Sequence, residues 1–378
     1  MNSKERLNAA MSLEPHDQIP VMCQLSIGHM LQQLNVSPSK FWFDKNCFKD
    51  GLISLRNQYN FDGILVSLHG HNPNWLDKVD RVDLHNRNEI IYLTNGDIVN
   101  CPTNDLPIYT YAKEKKLLQL SELKESELPK ILDYIPVSQN LHFYIDQNHK
   151  FDILTELVSE FGSDYSIHGE ITSPFDYFLD FLGLQEALIE LIDNPEQCKL
   201  VLQHFTILIK SLAEEMCETG IDAIKISSPF SGSGFISPDD YTTFVLPFEK
   251  EIATSIRKKG VHVYTHTCGM INDRLELMFD SGISGIECLD PPPIGDIELK
   301  DAFQRINNKG FIKGNIDSVN TLLMGSKAEI LNDLNNRIDI GKKWNGFILS
   351  TACSIAPQVL KENIFLLNDA VRCWGKLD

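Results

Sequence analysis

Eight short apolar segments recur along the chain, and this repetition limits the folds that the sequence can adopt. Each segment is rich in Ile, Val, Leu or Phe and has the length of one strand that is buried on both faces. The segments cover residues 19–23, 61–68, 165–171, 222–228, 261–266, 284–289, 310–316 and 346–352. Helical patterns separate most of them, and such alternation is typical of a parallel sheet with helices between its strands.

The alternation predicts an α/β protein that folds as a (β/α)8 TIM barrel. The alternative is an open, doubly wound sheet, but the sequence contains no GxGxxG motif to support it. One barrel can accommodate the whole chain, so we interpret residues 1–378 as a single domain. Residues 72–148 depart from the alternation, and within them residues 89–101 predict a β-hairpin with its turn at Asn95 and Gly96.

The charge and the cysteine content restrict the partners and the compartment. The chain has 34 basic and 52 acidic side chains, which give a formal net charge of −18 at pH 7. Such a chain lacks the basic surface that binds nucleic acid, and anionic membranes repel it. The amino terminus has no apolar signal core, and no apolar run is long enough to span a bilayer. An odd number of scattered cysteines, nine in all, predicts reduced thiols in a cytoplasmic protein.

The stretch YTHTCGM, at the end of the fifth segment, contains His266 and Cys268. Side chains two residues apart in an extended chain point to the same side, so these two can hold one ion. Zinc accepts imidazole nitrogen together with thiolate sulfur, and a barrel carries its chemistry at the carboxyl ends of its strands. The bare HxC pattern is equally compatible with an ordinary buried histidine and a free thiol.

Two further residues stand near the ends of other segments and strengthen the metal hypothesis. Cys353 follows the eighth segment, and Glu287 lies in the sixth, one helix and one strand beyond Cys268. With His266 they give a His/Cys/Glu/Cys set that suits tetrahedral zinc. The alternative is that Cys353 is a small core residue and that Glu287 is a paired carboxylate. Cys288 is expected to point away from Glu287, to the opposite face of its strand.

Other polar residues near the strand ends are candidates for contact with a substrate. Glu170 lies in the third segment, and Asp222 and Lys225 lie in the fourth. We predict catalytic roles for Glu170 and Asp222 beside Glu287, and a structural role is an equal alternative for each. Lys225 is open to the same two interpretations.

Two groups of residues are predicted to bind a cofactor. His69 and His71, after the second segment, are expected to line the pocket. Ser231 and Gly232 belong to the Gly/Ser-rich loop 227–237, whose backbone N–H groups could bind a phosphate or the tail of a corrinoid. The alternative for this loop is a plain connection between a strand and the next helix.

Four motifs resemble the uroporphyrinogen decarboxylase superfamily, and within it the branch of methylcobamide:coenzyme M and related corrinoid methyltransferases. They are HTCG at 266–269, GIECLDPPPIGD at 285–296, IKGNID at 312–317 and ILSTACSIAP at 348–357. The resemblance extends over about residues 165–374 and implies a (β/α)8 barrel, a thiol acceptor and a methyl-corrinoid donor. It implies a zinc ion held by His266, Cys268 and Cys353. Glu287 as fourth ligand follows from a looser resemblance to cobalamin-independent methionine synthases.

The sequence therefore predicts an enzyme, a zinc-dependent methyltransferase that acts on a small-molecule thiol. The corrinoid would come free or on a partner protein, since the chain has no DxHxxG motif. One alternative is uroporphyrinogen decarboxylase itself, which grips its anionic substrate with an arginine-rich segment. The matching residues here, 20–30, contain no arginine, and a polyanion needs such cations. A zinc- or corrinoid-binding protein without turnover is the other alternative, and the oligomeric state stays open.

Overall fold

The computed structural model of the protein describes residues 1–86, 88–113, 120–138 and 140–377. Strands in this part of the chain form one parallel sheet and two smaller antiparallel sheets. In chain order they are β1 Gly63–Val66, β2 Val79–His85, β3 Asn88–Leu93, β4 Ile98–Cys101, β5 Ile108–Thr110, β6 Tyr134–Ser138, β7 Leu141–Tyr144, β8 Ser166–Thr172, β9 Ala223–Ser227, β10 His262–Thr267, β11 Gly285–Cys288, β12 Phe311–Ile316 and β13 Phe347–Thr351.

Helices connect the strands of the parallel sheet and cover it. They are α1 Ser3–Met11, α2 Ile27–Leu34, α3 Pro38–Phe43, α4 Lys45–Tyr59, α5 Asp152–Phe161, α6 Pro174–Leu182, α7 Leu184–Asp193, α8 Pro195–Cys217, α9 Pro238–Phe244, α10 Leu246–Lys258, α11 Leu275–Asp280, α12 Leu299–Ile306, α13 Lys327–Gly341 and α14 Lys361–Trp374. Several begin where the sequence signals a start: Ser237 and Ser326 form capping boxes with Asp240 and Glu329. Across the described residues, none of the helices has both the length and the apolar character needed to cross a membrane.

The central sheet contains seven parallel strands in the order β1-β8-β9-β10-β11-β12-β13. These strands correspond to the second to eighth apolar segments of the sequence. Every residue of β11, β12 and β13 is buried, as expected for strands covered on both faces. The predicted α/β class, with a parallel sheet and alternating helices, is therefore confirmed.

The first apolar segment, residues 19–23, differs from the prediction because it forms no regular strand. It touches both edges of the sheet: Val21 makes an isolated parallel bridge with Leu349 of β13, and its carbonyl accepts the Asp62 N–H next to β1 at 2.8 Å. The sheet therefore curls until its two edges approach the same segment. A continuous ladder is missing because Pro20 has no N–H and the Val21 N–H donates to the Asp62 carboxylate instead.

Residues 72–148 leave the alternation as predicted and contain more structure than one hairpin. The predicted hairpin is present: β3 and β4 pair antiparallel around a turn in which Gly96 has φ of +93°. Glycine adopts this backbone conformation without steric cost. β2 and β5 extend the hairpin to a four-stranded sheet, and β6 with β7 forms a separate two-stranded sheet.

Replacing Asp62 with Ala should destabilise the protein by about 2–4 kcal/mol. The buried carboxylate accepts hydrogen bonds from Val21 N at 2.8 Å and from Arg6 Nη1 at 2.9 Å, and its loss leaves both donors without this acceptor. The midpoint of urea unfolding measures the change. Asp17→Ala is the matched control, because Asp17 contacts the same guanidinium at 2.7 Å but is 43% exposed. Its cost should stay below about 1 kcal/mol, and equal losses for both variants would contradict the role given to Asp62.

Candidate metal centre

The parallel register places the candidate ligands at the carboxyl end of the sheet. His266 of β10 lies beside Glu287 of β11, and Glu287 lies beside Lys313 of β12. Neighbours in register on a parallel sheet project to the same side, so these three side chains meet inside the curled sheet. Cys268 follows the end of β10, and Cys353 follows the end of β13.

His266, Cys268 and Cys353 form a compact cluster. Cys268 Sγ lies 3.2 Å from His266 Nε2 and 4.0 Å from Cys353 Sγ, and the donor atoms of all three lie within 4.8 Å of one another. Tetrahedral zinc with ordinary bond lengths separates two sulfurs by about 3.8 Å and a sulfur from a nitrogen by about 3.6 Å. The donor types and their separations therefore fit zinc. His266 is buried, and both cysteines are partly exposed.

Glu287 does not lie among the three donor atoms, contrary to its predicted place as fourth ligand. Its Oε2 lies 3.0 Å from His266 Nδ1, the ring nitrogen that faces away from Cys268. Because an ionised carboxylate only accepts hydrogen bonds, Nδ1 carries the proton. Glu287 therefore orients the imidazole and leaves Nε2 directed at the sulfurs, which is how carboxylates commonly support a metal-binding histidine.

Two buried lysines hold Glu287 in its charged form. Lys313 Nζ donates to Glu287 Oε1, and Lys225 Nζ lies 3.5 Å from Oε2 and 3.0 Å from Glu170 Oε1. Burial alone raises the pKa of Glu287, but the two ammonium groups outweigh burial and lower it well below its usual value. Lys225 also donates to Gln24 Oε1 at 2.8 Å. Glu170 and Lys225, both predicted as candidates, thus belong to one buried chain of alternating charges.

Lys313 was missed by the sequence analysis. The signal was present, because a lysine in the middle of the apolar segment GFIKGNI must be buried if that segment is a strand. A buried ammonium group needs an anionic partner. Glu287, which lies 26 residues earlier in the sequence, is that partner through the register of β11 and β12.

The protonation states in the cluster depend on one another. Burial lowers the pKa of His266, but the Cys268 thiolate and the Glu287 carboxylate outweigh burial and raise it to about 9. Thiols of Cys288 and Cys353 that donate to the Cys268 sulfur, together with the His266 imidazolium, hold the pKa of Cys268 far below that of a free thiol. The pKa of Cys353 is raised, because its proton bonds to the Cys268 thiolate and because the surrounding protein largely desolvates the thiol.

Cys288 is a second residue for which the sequence-based expectation is wrong. It was expected to point away from the site, but its Sγ and the Asp290 carboxylate lie within 4.8 Å of Cys268 Sγ. The strand alternation ends at Cys288, which has φ of +87°, and Leu289 has φ of +50°. This turn brings Cys288 Sγ to 3.2 Å from Asp290 Oδ2, which also accepts the Gly269 N–H at 2.7 Å.

The predicted position of Asp222 near the site is wrong. Asp222 precedes β9 and therefore lies at the amino end of the sheet, opposite the cluster. Its carboxylate accepts hydrogen bonds from Ile167 N and Asn8 Nδ2, both at 2.9 Å, and lies 3.1 Å from Lys4 Nζ. Asp222 thus links α1 to the sheet and has no contact with the cluster.

The four predicted cofactor-binding residues occupy two different places. The ring of His69 packs 5.6 Å from Phe151, and the ring of His71 packs 4.7 Å from Phe143. Ser231 Oγ is buried, where it donates to Ser228 O at 2.8 Å. Gly232 supports Cys268, because a Cβ at this position would lie 2.7 Å from the Cys268 carbonyl oxygen.

A cavity of 520 Å³, here named the sulfur cavity, opens directly onto Cys268 and Cys353. Four apolar side chains on its wall are each 43 or 44% exposed: Phe235, Met270, Ile294 and Val319. Its charged lining residues are Asp290 and Asp317, and the described residues that line it include no Lys or Arg. The sulfur cavity therefore offers a ligand two thiol sulfurs, an apolar rim and negative charge.

Comparison with known proteins shows the family of this chain. The sequence model of the family described as uroporphyrinogen decarboxylase (URO-D) matches residues 123–374. The chain belongs to the uroporphyrinogen decarboxylase family. A methylcobamide:CoM methyltransferase of Methanosarcina acetivorans is 22% identical over 365 residues, which are 96% of this chain and 95% of the relative. A uroporphyrinogen decarboxylase of Thermodesulfovibrio yellowstonii is 28% identical, but over only 44% of this chain and 43% of its own.

A solved structure shares the fold of this chain. A methyltransferase from Methanosarcina mazei superposes with a TM-score of 0.72 at 18% identity and covers 98% of both chains. This likeness shows that the two chains share their fold. The predicted membership of the uroporphyrinogen decarboxylase superfamily is confirmed, and so is the prediction that the chain is an enzyme, because the matched relatives are enzymes.

In metal-free protein, iodoacetamide should alkylate Cys268 at least about tenfold faster than Cys353 at pH 6, since only the thiolate is nucleophilic. The two thiols are both partly exposed, but the pKa of Cys268 is lowered and that of Cys353 is raised. Timed digestion and mass spectrometry of the two peptides give the rates. His266→Gln should slow the labelling of Cys268, because it removes the imidazolium. Equal rates for both cysteines would refute this charge assignment.

Proposed function

We propose that the protein is a zinc-dependent methyltransferase that transfers a methyl group from a methyl-corrinoid to the sulfur of a small thiol. The observation that carries the proposal is a nitrogen and two sulfurs gathered within 4.8 Å of one another, with both cysteines lining an open cavity. The likeness to methylcobamide:CoM methyltransferases over nearly the full length of the chain supports the same reaction class.

His266, Cys268 and Cys353 would hold the zinc ion. Three protein ligands leave the fourth position of a tetrahedral ion open to a ligand from the sulfur cavity. A zinc ion bound here would lower the pKa of an acceptor thiol, so that the acceptor is a thiolate at neutral pH. Glu287 would act on the histidine and not on the ion, since its carboxylate lies against Nδ1.

The buried charges behind His266 would hold the histidine in the orientation that a metal ligand needs. Lys225 and Lys313 keep Glu287 ionised, and Glu287 fixes both the orientation and the proton position of His266. Glu170 balances the charge of Lys225. The four charges compensate one another inside the sheet, so the site needs no counter-ion from solvent.

The sulfur cavity suits a bulky donor that approaches from outside. Its partly exposed apolar side chains would pack against the apolar face of a corrinoid, whether free or carried by a partner protein. In the transfer, the acceptor sulfur would form a bond to the methyl carbon while the bond from that carbon to the donor's cobalt would break, with the electron pair left on the donor. The thiol proton would pass to solvent when the acceptor binds, before the transfer.

The charge of the sulfur cavity favours a particular class of acceptor. Asp317 accepts hydrogen bonds from Val319 N and Asn320 N at 2.9 and 2.8 Å, so its carboxylate is fixed at the wall. Asp290 is buried nearby, and no lysine or arginine is present among the described lining residues. A neutral or cationic thiol would avoid the repulsion that an anionic thiol meets here. The same charges disfavour a polyanionic tetrapyrrole and hence the decarboxylase alternative.

We also propose that the curled sheet is a (β/α)8 barrel in a single domain, with residues 19–25 in the place of its first strand. The contacts of Val21 and Leu25 with the end of the chain support this arrangement. Residues 72–148 would be an excursion from that barrel. A cytoplasmic location and a role for Ser231 and Gly232 in holding the corrinoid stay predictions.

Purified protein should retain about one zinc ion per chain. Cys353→Ser should lower the retained zinc after dialysis against a mild chelator, and the double variant His266→Ala, Cys268→Ser should lose it. Cys198→Ser is the control, because Cys198 is buried in α8 and is expected to leave the zinc content unchanged. Elemental analysis gives the stoichiometry. Full zinc in the double variant would place the metal elsewhere.

Zinc-loaded protein should demethylate methylcobalamin in the presence of a suitable thiol, which visible absorbance follows directly. We expect cysteamine and 2-mercaptoethanol to react at least about tenfold faster than 2-mercaptoethanesulfonate, because the sulfonate meets two carboxylates. Asp317→Asn should narrow this difference in rate between the thiols, because it removes one of the two negative charges. The amide oxygen of the variant keeps the backbone contacts. X-ray absorption at the zinc edge should change from two sulfurs to three when the thiol binds.

An unchanged zinc shell, together with no demethylation by any of the three thiols, would favour the alternative of a binding protein without turnover. Conversion of uroporphyrinogen to coproporphyrinogen under anaerobic conditions would favour the decarboxylase alternative.

A further inference from the structure

A second cavity has a volume of 410 Å³ and lies between α3 and the two antiparallel sheets. It is here named the aromatic cavity. None of its lining residues also lines the sulfur cavity. Its wall carries the rings of Trp42, Phe43, Trp75, Tyr109 and Phe143. A pocket with this many aromatic faces is suited to stacking against a flat ligand.

The aromatic wall is held in place by contacts among its own rings. Phe43 and Trp75 stack with centroids 5.3 Å apart and an interplanar angle of 13°. Trp42 packs edge-on to Phe143 at 5.4 Å, and its indole N–H donates to the Tyr109 hydroxyl at 3.2 Å. The polar atoms of this wall are thus largely satisfied, and the rings present fixed faces to the cavity.

His71 is the exception, because it is only 2% exposed and lines the aromatic cavity with both ring nitrogens lacking a hydrogen-bond partner in the described part of the chain. Burial lowers the pKa of His71 to about 3, so the ring is neutral at neutral pH. A neutral imidazole offers one N–H donor and one lone pair. Leaving both unpaired in a buried place is costly, and a ligand with matching groups would remove that cost.

The charged residues of the aromatic cavity lie toward solvent. Lys78 and Asp133 are exposed, and the carboxylate of Asp97 is already engaged by Ala112 N and Asn95 Nδ2, both at 2.8 Å. The aromatic and imidazole part of the cavity therefore contains no charged side chain among the described residues. An uncharged ring fits this interior, while polar substituents of the same ligand can remain at the mouth.

We propose that the aromatic cavity binds a planar, uncharged heteroaromatic ring that stacks on its aromatic wall and hydrogen-bonds to His71. A free base and the base of a nucleotide present the same flat face and edge, and the affinities measured below distinguish the two. This site is independent of the metal cluster and requires neither zinc nor a corrinoid.

Tryptophan fluorescence and calorimetry with benzimidazole, adenine and adenosine monophosphate test the proposal. Two of the chain's four tryptophans line the aromatic cavity, so binding should quench the emission. Trp344→Phe should leave the quenching intact, because Trp344 stacks on Phe303 outside the cavity. Adenine that binds at least about tenfold more tightly than the monophosphate would identify a free base, and the reverse order would identify a nucleotide.

His71→Phe removes the donor and the acceptor and should weaken binding at least about tenfold. His71→Gln keeps one of each and should stay within about threefold of the natural protein. Trp75→Leu removes one ring of the aromatic wall and should also weaken binding. This variant tests the aromatic wall even if His71→Phe fails to fold. Absence of binding for all three probes, unchanged affinity in both His71→Phe and Trp75→Leu, or tighter binding of tetramethylammonium than of the rings would overturn the proposal.

Discussion

The contact between Glu287 and His266 is the interaction on which the chemistry of the site depends. It exists because β10, β11 and β12 run parallel and in a register that sets His266, Glu287 and Lys313 side by side. A charged carboxylate is stable at this depth only because Lys225 and Lys313 flank it. Removing either lysine would disturb the histidine without touching it, since burial raises the pKa of Glu287 and fewer cations would then oppose this rise.

Much of the fold could be predicted from the sequence, because the signal for a buried parallel strand is strong and local. Seven of the eight apolar segments are strands, and their order in the chain is their order in the sheet. The juxtaposition of Cys353 with His266 and Cys268 also follows from this order, since parallel strands bring their carboxyl ends to one edge. The first segment was predicted as a strand and is not one, because the Asp62 side chain takes the N–H that a strand partner would bind.

The parts of the site that could not be predicted depend on details of backbone conformation and register. Strand alternation assigns Cys288 to the far face, but its positive φ turns the thiol toward Cys268. Asp222 was expected near the site, but it directly precedes β9. It therefore lies at the amino end of the sheet, opposite the cluster. Glu287 was expected near the end of its strand as a zinc ligand or a paired carboxylate, and its place beside His266 Nδ1 depends on a strand register that the sequence does not reveal.

The three donor atoms come from distant parts of the sequence, and this separation affects the stability of the native state. Cys268 and Cys353 are 85 residues apart, and β11 and β12 lie between the strands that carry them. An ion that joins them would act as a cross-link between the middle of the sheet and its last strand, which in turn contacts residues 19–25. Because the unfolded chain does not bring these atoms together, occupancy would add to the resistance of the native state to heat in proportion to the logarithm of metal concentration. Metal supply would then affect how long the native state persists.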